Sequence, residues 1–241
     1  MKSKDERRWG AASNIILIVL SLMALLPFVL LIIASFTDNT IAVKEGYSYF
    51  PSKWSLDAYA YIWRNAAMIV RAYGVTIAVT VIGTAAGLVI TALYAYMLSK
   101  KGLPGRKFLI FFVILTMLFN GGLVPTYLVY SNMLHIKDTL WALIVPTLLM
   151  NGFNVILIKN YFENNIPGEL YESARIDGAG EWFIFSKIAM PLSRPILATV
   201  GLLMGIAYWN DWQNGLYYLN DTSLYSIQNI LNQINQNISY L

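Results

Sequence analysis

Long apolar segments are the feature that most restricts how this chain can fold. Of its 241 residues, 57% are hydrophobic and only 12% are charged, whereas a soluble domain carries roughly 25% charged residues. The apolar residues gather into stretches of about 20, the length that a helix needs to cross a hydrocarbon core of about 30 Å. The sequence therefore predicts an all-α fold, a polytopic transmembrane helical bundle.

Five membrane spans are predicted within one domain that covers residues 1–241. They lie at about 14–36, 73–98, 108–130, 139–158 and 196–212. The first span is too long to be the apolar core of a cleaved signal peptide. The segment 159–194 holds too many charges, glycines and prolines to cross a membrane, and the last span leads into a polar tail rich in Asn and Tyr.

The basic residues of the loops indicate the orientation. With the N-terminus in the cytoplasm, twelve of the 17 Lys and Arg residues lie on the cytoplasmic side and five lie outside. Cytoplasmic loops normally carry such an excess, which also explains the net charge of +4 without a nucleic-acid partner. We therefore predict a multi-pass protein of the cell membrane, with 159–194 in the cytoplasm. The aromatic-rich segment 37–71 is expected outside, partly in the membrane interface.

The predicted cytoplasmic segment 159–194 has the signals of a helix–turn–helix hairpin. Pro167 suits the first residue of a helix, where its missing N–H costs nothing, and the Gly-Ala-Gly turn at 178–180 suits the helix end. A second short helix, 181–189, is expected to stop before Pro191. Exposed hydrophobic and acidic groups on such a hairpin suggest a docking surface for a soluble partner.

This segment resembles the coupling loop of the membrane subunits of bacterial ABC importers. The loop carries E-A-A, then three residues, Gly, nine residues, and I-x-L-P. The pattern falls here on Glu172, Ser173, Ala174, Gly178, Ile188, Met190 and Pro191, with Ser173 in place of Ala and Met190 in place of Leu. The resemblance implies a type I ABC importer permease fold with a coupling helix that seats in a cleft of an ATPase subunit. The residues it implies for ATPase coupling are Glu172, Ser173, Ala174, Arg175, Asp177 and Gly178.

Further strings resemble the maltose-permease-like branch of this family, which imports oligosaccharides. They are residues 119–127, 138–143, 176–179 and 209–212. The resemblance implies a second related permease subunit, two ATPase subunits that bind ATP and Mg, an extracellular substrate-binding protein, and no cofactor in this chain. Members of the branch have six spans, so a further span beyond Leu241 is expected. Residues 214–241 match in position the loop that reaches into the binding protein. The aromatic residues of 37–71 are a second candidate for contact with that protein.

Polar and aromatic residues within or at the ends of the spans are candidates for a sugar pathway. They are Asn120, Asn154, Trp209, Asn210, Asp211 and Trp212. Polar groups at membrane depth tend to face a cavity, and sugar hydroxyls need amide or carboxylate partners. The alternatives are interhelical hydrogen bonds for the polar residues and interfacial anchoring for the two tryptophans. Gly83 and Gly87 form a small-xxx-small pair that favours close helix packing.

The sequence lacks the motifs of a membrane enzyme. It has no cysteine and one histidine, His135, and it contains no G-x-x-x-x-G-K-[ST], H-E-x-x-H or G-x-S-x-G string. ATP hydrolysis is therefore expected on separate subunits, and no catalytic or metal site is expected. The rival interpretations are an ion-coupled secondary transporter, for which Asp211 is the candidate carboxylate, and an integral membrane enzyme.

Overall fold

The computed structural model describes residues 4–239, and within this range the regular structure is helical. A single β-bridge joins Thr37 to Trp54. Contacts divide the chain into two compact units, Met1–Ile69 and Val70–Leu241, where the sequence predicted one domain. The two units are described separately.

The first unit consists of a long apolar helix followed by two short helices. They are α1 (Lys4–Ser35), α2 (Asn39–Glu45) and α3 (Asp57–Arg64). Asp38 caps α2, because its side chain accepts a hydrogen bond from the N–H of Thr40 at 2.9 Å, and it pairs with Lys53 at 2.6 Å. The hydrogen bonds from Lys53 and Thr40 lower the pKa of Asp38 to about 2. The segment expected as a loop at 37–71 is therefore partly helical.

The second unit contains the remaining helices, and its first helix begins at the end of the first unit. In chain order they are α4 (Ala66–Ser99), α5 (Arg106–Leu118), α6 (Leu123–Leu128) with a π-helical turn (Val129–Met133), α7 (Trp141–Ile144), α8 (Gly152–Asn165), α9 (Gly168–Ile176), α10 (Glu181–Ile184) with a π-helical turn (Phe185–Ala189), α11 (Met190–Leu192), α12 (Arg194–Trp209), α13 (Gln213–Tyr218), a 3-10 turn (Thr222–Leu224) and α14 (Ile227–Ser239).

Two helices among the described residues are long and apolar enough to cross a membrane. They are Ser13–Ser35 and Ala66–Ser99, which correspond to the first two predicted spans. Two bent pairs also pass if each counts as one span: Arg106–Leu118 with Leu123–Met133, bent by 115°, and Glu181–Leu192 with Arg194–Trp209, bent by 81°. The number of candidate spans is thus two to four, compared with the five predicted.

The third and fourth predicted spans are not single helices. The span at 108–130 breaks at 119–122, where Gly122 adopts a φ of +86° that interrupts a right-handed helix. The span at 139–158 begins as the single turn of α7 and resumes as α8 only at Gly152. Between these helices, Thr147 has a φ of +61°, which is outside the helical region.

The carbonyl groups freed by the second break are bound by side chains from later helices. The hydroxyl of Tyr208 donates to the carbonyl of Ile144 at 2.9 Å, and the Nδ2 of Asn214 donates to the carbonyl of Pro146 at 3.1 Å. Non-helical backbone at membrane depth is tolerated only where its polar groups find such partners. These two hydrogen bonds therefore stabilise the broken segment.

Close contact between α4 and α12 confirms the role predicted for the two glycines. A Cβ at Gly83 would lie 2.5 Å from the ring of Tyr208, and a Cβ at Gly87 would overlap the side chain of Met204. Gly87 also lies against the carbonyl of Leu149, which a Cβ would approach to 2.7 Å. Both glycines are needed for internal helix packing.

Candidate functional site

The hairpin predicted from the sequence is formed by α9, a glycine turn, and α10 to α11. Gly178 takes a φ of +82°, and the N–H of Ala179 donates to the carbonyl of Ala174 at 2.9 Å. Only glycine adopts this backbone conformation without strain. The second arm continues through Pro191 to Leu192, so the prediction that it stops before Pro191 is wrong. Pro191 lies in α11, which follows directly on the π-helical turn Phe185–Ala189, where the regular i to i−4 hydrogen bonding of an α-helix is already interrupted.

The inner face of the hairpin packs on the ends of α4 and α8. Ala174 and Phe185 are buried in one apolar cluster with Tyr96 of α4 and Phe162 of α8. The Tyr96 ring centroid lies 5.2 Å from that of Phe185 and 5.9 Å from that of Phe162. Tyr171 joins this cluster, and burial raises its pKa to about 12. Apolar contact thus attaches the hairpin to two spans.

The outer face of the hairpin carries most of the residues predicted for coupling. Ala174 is buried, whereas the other five are exposed: Glu172, Ser173, Arg175, Asp177 and Gly178. Ile176 lies among them with 86% of its surface exposed. A groove of about 480 Å³ runs between the two arms and is lined by residues that include Ser173, Asp177 and Phe183. The hairpin therefore presents both acidic and apolar groups outward.

Ion pairs join the hairpin and its neighbours, and apart from Arg175 the sequence analysis selected none of their members. Glu181 at the start of α10 pairs with Lys100, just beyond α4, and with Arg175 of α9. Glu163 of α8 pairs with Arg106 of α5. No local sequence signal identifies these pairs, because their members lie 6 to 81 residues apart.

Two pathway candidates line a groove of about 560 Å³ between α4 and α12. Trp209 and Asn210 lie at this groove together with Thr80 and Thr84. The Nδ2 of Asn210 donates to the carbonyl of Ile206 at 2.9 Å, so this amide is used locally. The tryptophan is 38% exposed.

The other pathway candidates are not part of this groove. The Oδ1 of Asn120 accepts from the N–H of Gly122 at 2.9 Å, which places it in the turn at the first helix break. Asp211 accepts from two N–H groups in the first turn of α13, the nearer at 3.1 Å. Asn154 is half-buried on α8, and Trp212 is 37% exposed beside Asp211. The structure therefore does not bring the six candidates together.

Asp138 holds the segment that follows α13. Its carboxylate accepts from the N–H groups of Asn220 and Asp221, and its own N–H donates to the carbonyl of Tyr218 at 3.0 Å. These hydrogen bonds lower the pKa of Asp138 below its ordinary value. Tyr127 stacks on Tyr218 beside it, with ring centroids 5.7 Å apart. The loop after the third span is thereby fixed to the segment after α13.

Among the side chains that the structure describes, no cluster of three or more His, Cys, Asp or Glu could hold a metal ion.

Comparison with known proteins places these features in a family. The sequence profile of the binding-protein-dependent transport system inner membrane component matches residues 107–238. The chain is 44% identical over 218 residues to the polygalacturonan/rhamnogalacturonan transport system permease protein YtcP of Bacillus subtilis (strain 168), covering 90% of this chain and 75% of the relative. It is 42% identical over 212 residues to Protein LplC of the same organism, covering 88% and 70%.

A solved structure is similar over nearly the whole chain. It is the crystal structure of a bacterial ABC transporter involved in the import of the acidic polysaccharide alginate, with a TM-score of 0.82 and 29% identity. The alignment covers 97% of this chain and 82% of the other.

Proposed function

The chain belongs to the family of binding-protein-dependent transport system inner membrane components, and we propose that it is the permease subunit of an ABC importer for oligosaccharides. It is a transport permease and not an enzyme. The observation that carries the proposal is the 44% identity to a polygalacturonan/rhamnogalacturonan transport system permease protein over 90% of the chain. Membership of this family supports the ABC permease and does not support the ion-coupled secondary transporter, the alternative that the sequence left open.

The proposed orientation places the N-terminus and the hairpin in the cytoplasm. The excess of Lys and Arg on that side supports it, and so does the outward face of the hairpin, where Glu172 and Asp177 flank the exposed Ile176. Leu170 and Phe183 are also exposed and line the groove between the two arms, and an exposed apolar patch rimmed by polar residues is typical of a surface that a partner covers. The hairpin would then seat in an ATPase subunit.

The proposed assembly contains this chain, a second related permease, two ATPase subunits and an extracellular binding protein. ATP and Mg would be bound by the ATPases, since this sequence has no phosphate-binding loop. Closure of the ATPases would displace the hairpin and switch the pathway between inward- and outward-facing states.

Substitution in the glycine turn tests the proposed docking of the ATPase. Gly178 has a φ of +82°, whereas Gly180, two residues later, has a φ of −71° and open space around it. Valine is strained at the first position and accommodated at the second. We expect Gly178→Val to lose the ATPase on purification in mild detergent and to keep the second permease, whereas Gly180→Val keeps both. Retention of the ATPase by Gly178→Val, or its absence from the unmodified complex, would contradict the docking role.

The substrate is tested by uptake into cells that lack this chain. Relatives and the similar structure are named for polygalacturonan, rhamnogalacturonan and alginate, so uronic-acid oligosaccharides are the first probes, with neutral raffinose beside them. We expect the cells to take up at least one of these oligosaccharides, and to grow on it, only when the chain is present. If uptake of the whole panel is unchanged in the deletion strain, the oligosaccharide proposal is wrong while the docking result stands.

A further inference from the structure

Two routes connect the hairpin to the membrane-spanning helices. Its two ends continue covalently into α8 and α12, so any displacement reaches those helices through the backbone. The helix α4 has no such connection, because it precedes the hairpin by many residues. It contacts the hairpin through side chains near its C-terminal end, among them Tyr96.

The apolar part of this contact surrounds Tyr96. This residue is 7% exposed and contacts the rings of Tyr171 and Phe185 at centroid distances of 6.2 Å and 5.2 Å. Apolar contact is not directional. It holds the hairpin against α4 but leaves the two surfaces able to slide.

The polar part of the contact converges on one carboxylate. The Oε2 of Glu181 accepts from the hydroxyl of Tyr96 at 3.0 Å and from the ammonium of Lys100. Its Oε1 accepts from the Nε of Arg175 at 3.2 Å. Lys100 is itself held, since its ammonium lies 4.5 Å from the Tyr96 ring centroid in cation–π geometry. Charge-assisted hydrogen bonds are directional, so Glu181 fixes the hairpin relative to α4.

Glu181 differs in this respect from the other acids of the hairpin. Among the described residues, the two ion pairs that involve hairpin side chains both end on Glu181. Neither of these pairs involves Glu172 or Asp177, which lie on the outer face. All three acids are exposed, the Glu181 side chain at 53%. Glu181 therefore differs from Glu172 and Asp177 in its partners and not in its burial.

A displacement of α4 would reach the groove that contains two of the pathway candidates. This helix packs on α12 through Gly83 and Gly87, and Thr80 and Thr84 line the groove that also contains Trp209. Displacement of α4 with the hairpin would change the walls of this groove. A link at the end of α4 is thus placed to act on the middle of the bundle.

We propose that Glu181 is a positioning residue that holds α4 in register with the hairpin, so that displacement of the hairpin by the ATPase moves α4 with it. The inference rests on the proposed function, because it requires the ATPase to dock on the hairpin. Glu181 binds neither ATP nor substrate in this scheme and acts through Tyr96 and Lys100.

Spin labelling of the assembled transporter tests this link without the substrate. The chain has no cysteine, so cysteines at the exposed positions Glu169 and Lys101 give one labelled pair between the hairpin and the end of α4. Their distance is measured by double electron–electron resonance, without nucleotide and with ATP and vanadate. We expect one narrow distance in both states, because the two elements move together. Glu181→Gln should broaden or shift the distance in the vanadate state, with the ATPases still bound.

Matched variants separate this role from general damage to the fold. Lys100→Gln removes the partner charge at a helix end and should reproduce the effect, whereas Lys107→Gln removes a neighbouring exposed charge and should not. The charge exchange Glu181→Lys with Lys100→Glu should restore the narrow distance at least in part, which a residue needed only for folding would not do.

The possible failures are distinguishable. An unchanged distance in both Glu181→Gln and Lys100→Gln would overturn the inference and leave the docking proposal intact. Loss of the ATPases from Glu181→Gln would also overturn it, because Glu181 would then belong to the docking surface. If the labelled parent chain itself binds no ATPase, the proposed function fails and the inference falls with it.

Discussion

Replacement of Gly83 by alanine tests how closely α4 and α12 are packed. The added Cβ would lie 2.5 Å from the Cζ of Tyr208 and 2.7 Å from its Cε1, whereas carbon atoms in contact are normally about 3.5–4.0 Å apart. Tyr208 is 3% exposed, so its ring has little free space to enter. Either the ring or the helix must therefore shift by about 1 Å.

The cost of this shift follows from what Tyr208 holds. Overpacking costs about 1–3 kcal/mol. The ring also carries the hydroxyl that donates to the carbonyl of Ile144 at 2.9 Å, and leaving a buried carbonyl unpaired costs about 1–3 kcal/mol. Alanine recovers about 1 kcal/mol through its higher helix propensity. Together these contributions predict that Gly83→Ala destabilises the protein by about 1–5 kcal/mol.

Gly74 is the matched control on the same helix. It has open space around its Cα, so Gly74→Ala gains helix propensity without a clash and should stabilise by about 1 kcal/mol. The assay is the apparent Tm of the purified complex in detergent, followed by fluorescence-detected size exclusion. Tm should fall by several degrees for Gly83→Ala and rise slightly for Gly74→Ala. In a Tyr208→Leu background, most of the Gly83→Ala penalty should disappear. Equal increases in Tm for both alanine variants would refute the close packing.

Three further predictions concern single polar groups. The lowered pKa of Asp138 means that its stabilising contribution is complete above the ordinary value of 3.8 and is lost as pH falls through the lowered pKa. Asp138→Asn, which weakens the bond from the N–H of Asn220, should therefore make Tm fall less steeply below about pH 4, and an unchanged slope would contradict this. Tyr171→Phe removes a buried hydroxyl without a hydrogen-bond partner among the described residues, so Tm should stay level or rise by the equivalent of about 1 kcal/mol; a clear fall would show a missed partner. Glu163→Gln removes the carboxylate that pairs with both Arg106 and Lys159 at a largely buried site. It should cost about 2–4 kcal/mol in chemical unfolding, whereas a cost near zero would show that these pairs behave as exposed ones.

The long apolar helices were predictable because their signal is local. Residues 13–35 and 66–99 exceed the length of a membrane span, and hydropathy alone locates such segments. The glycine turn of the hairpin was predictable for the same reason, since Gly178 has the left-handed conformation that ends a helix. The coupling role of the hairpin stays a prediction, because helix boundaries do not identify a partner.

The broken spans show where local reasoning ends. Pro27 lies inside the continuous helix α1, whereas Pro146 lies in a seven-residue gap between α7 and α8. A proline in a membrane helix is compatible with either outcome. What differs at Pro146 is a donor from far along the chain, the amide of Asn214, 68 residues later. Pairings over such distances cannot be read from one sequence, and the same limit hid the 85-residue link between Tyr96 and Glu181.

The polar C-terminal segment also acquires a structural role that its composition concealed. Asn229 is 4% exposed and its Nδ2 donates to the carbonyl of Trp212 at 2.7 Å. The N–H of Ile227 donates to the hydroxyl of Thr76 on α4 at 2.9 Å. Gly215 makes room for the Asn229 side chain, which a Cβ there would overlap. The segment is thus held by buried polar contacts to the bundle, and through Asn214 it supplies a hydrogen bond that the interrupted span lacks. Buried amides are costly unless paired, and the two buried asparagines of this segment, Asn214 and Asn229, each donate to a backbone carbonyl, that of Pro146 and that of Trp212.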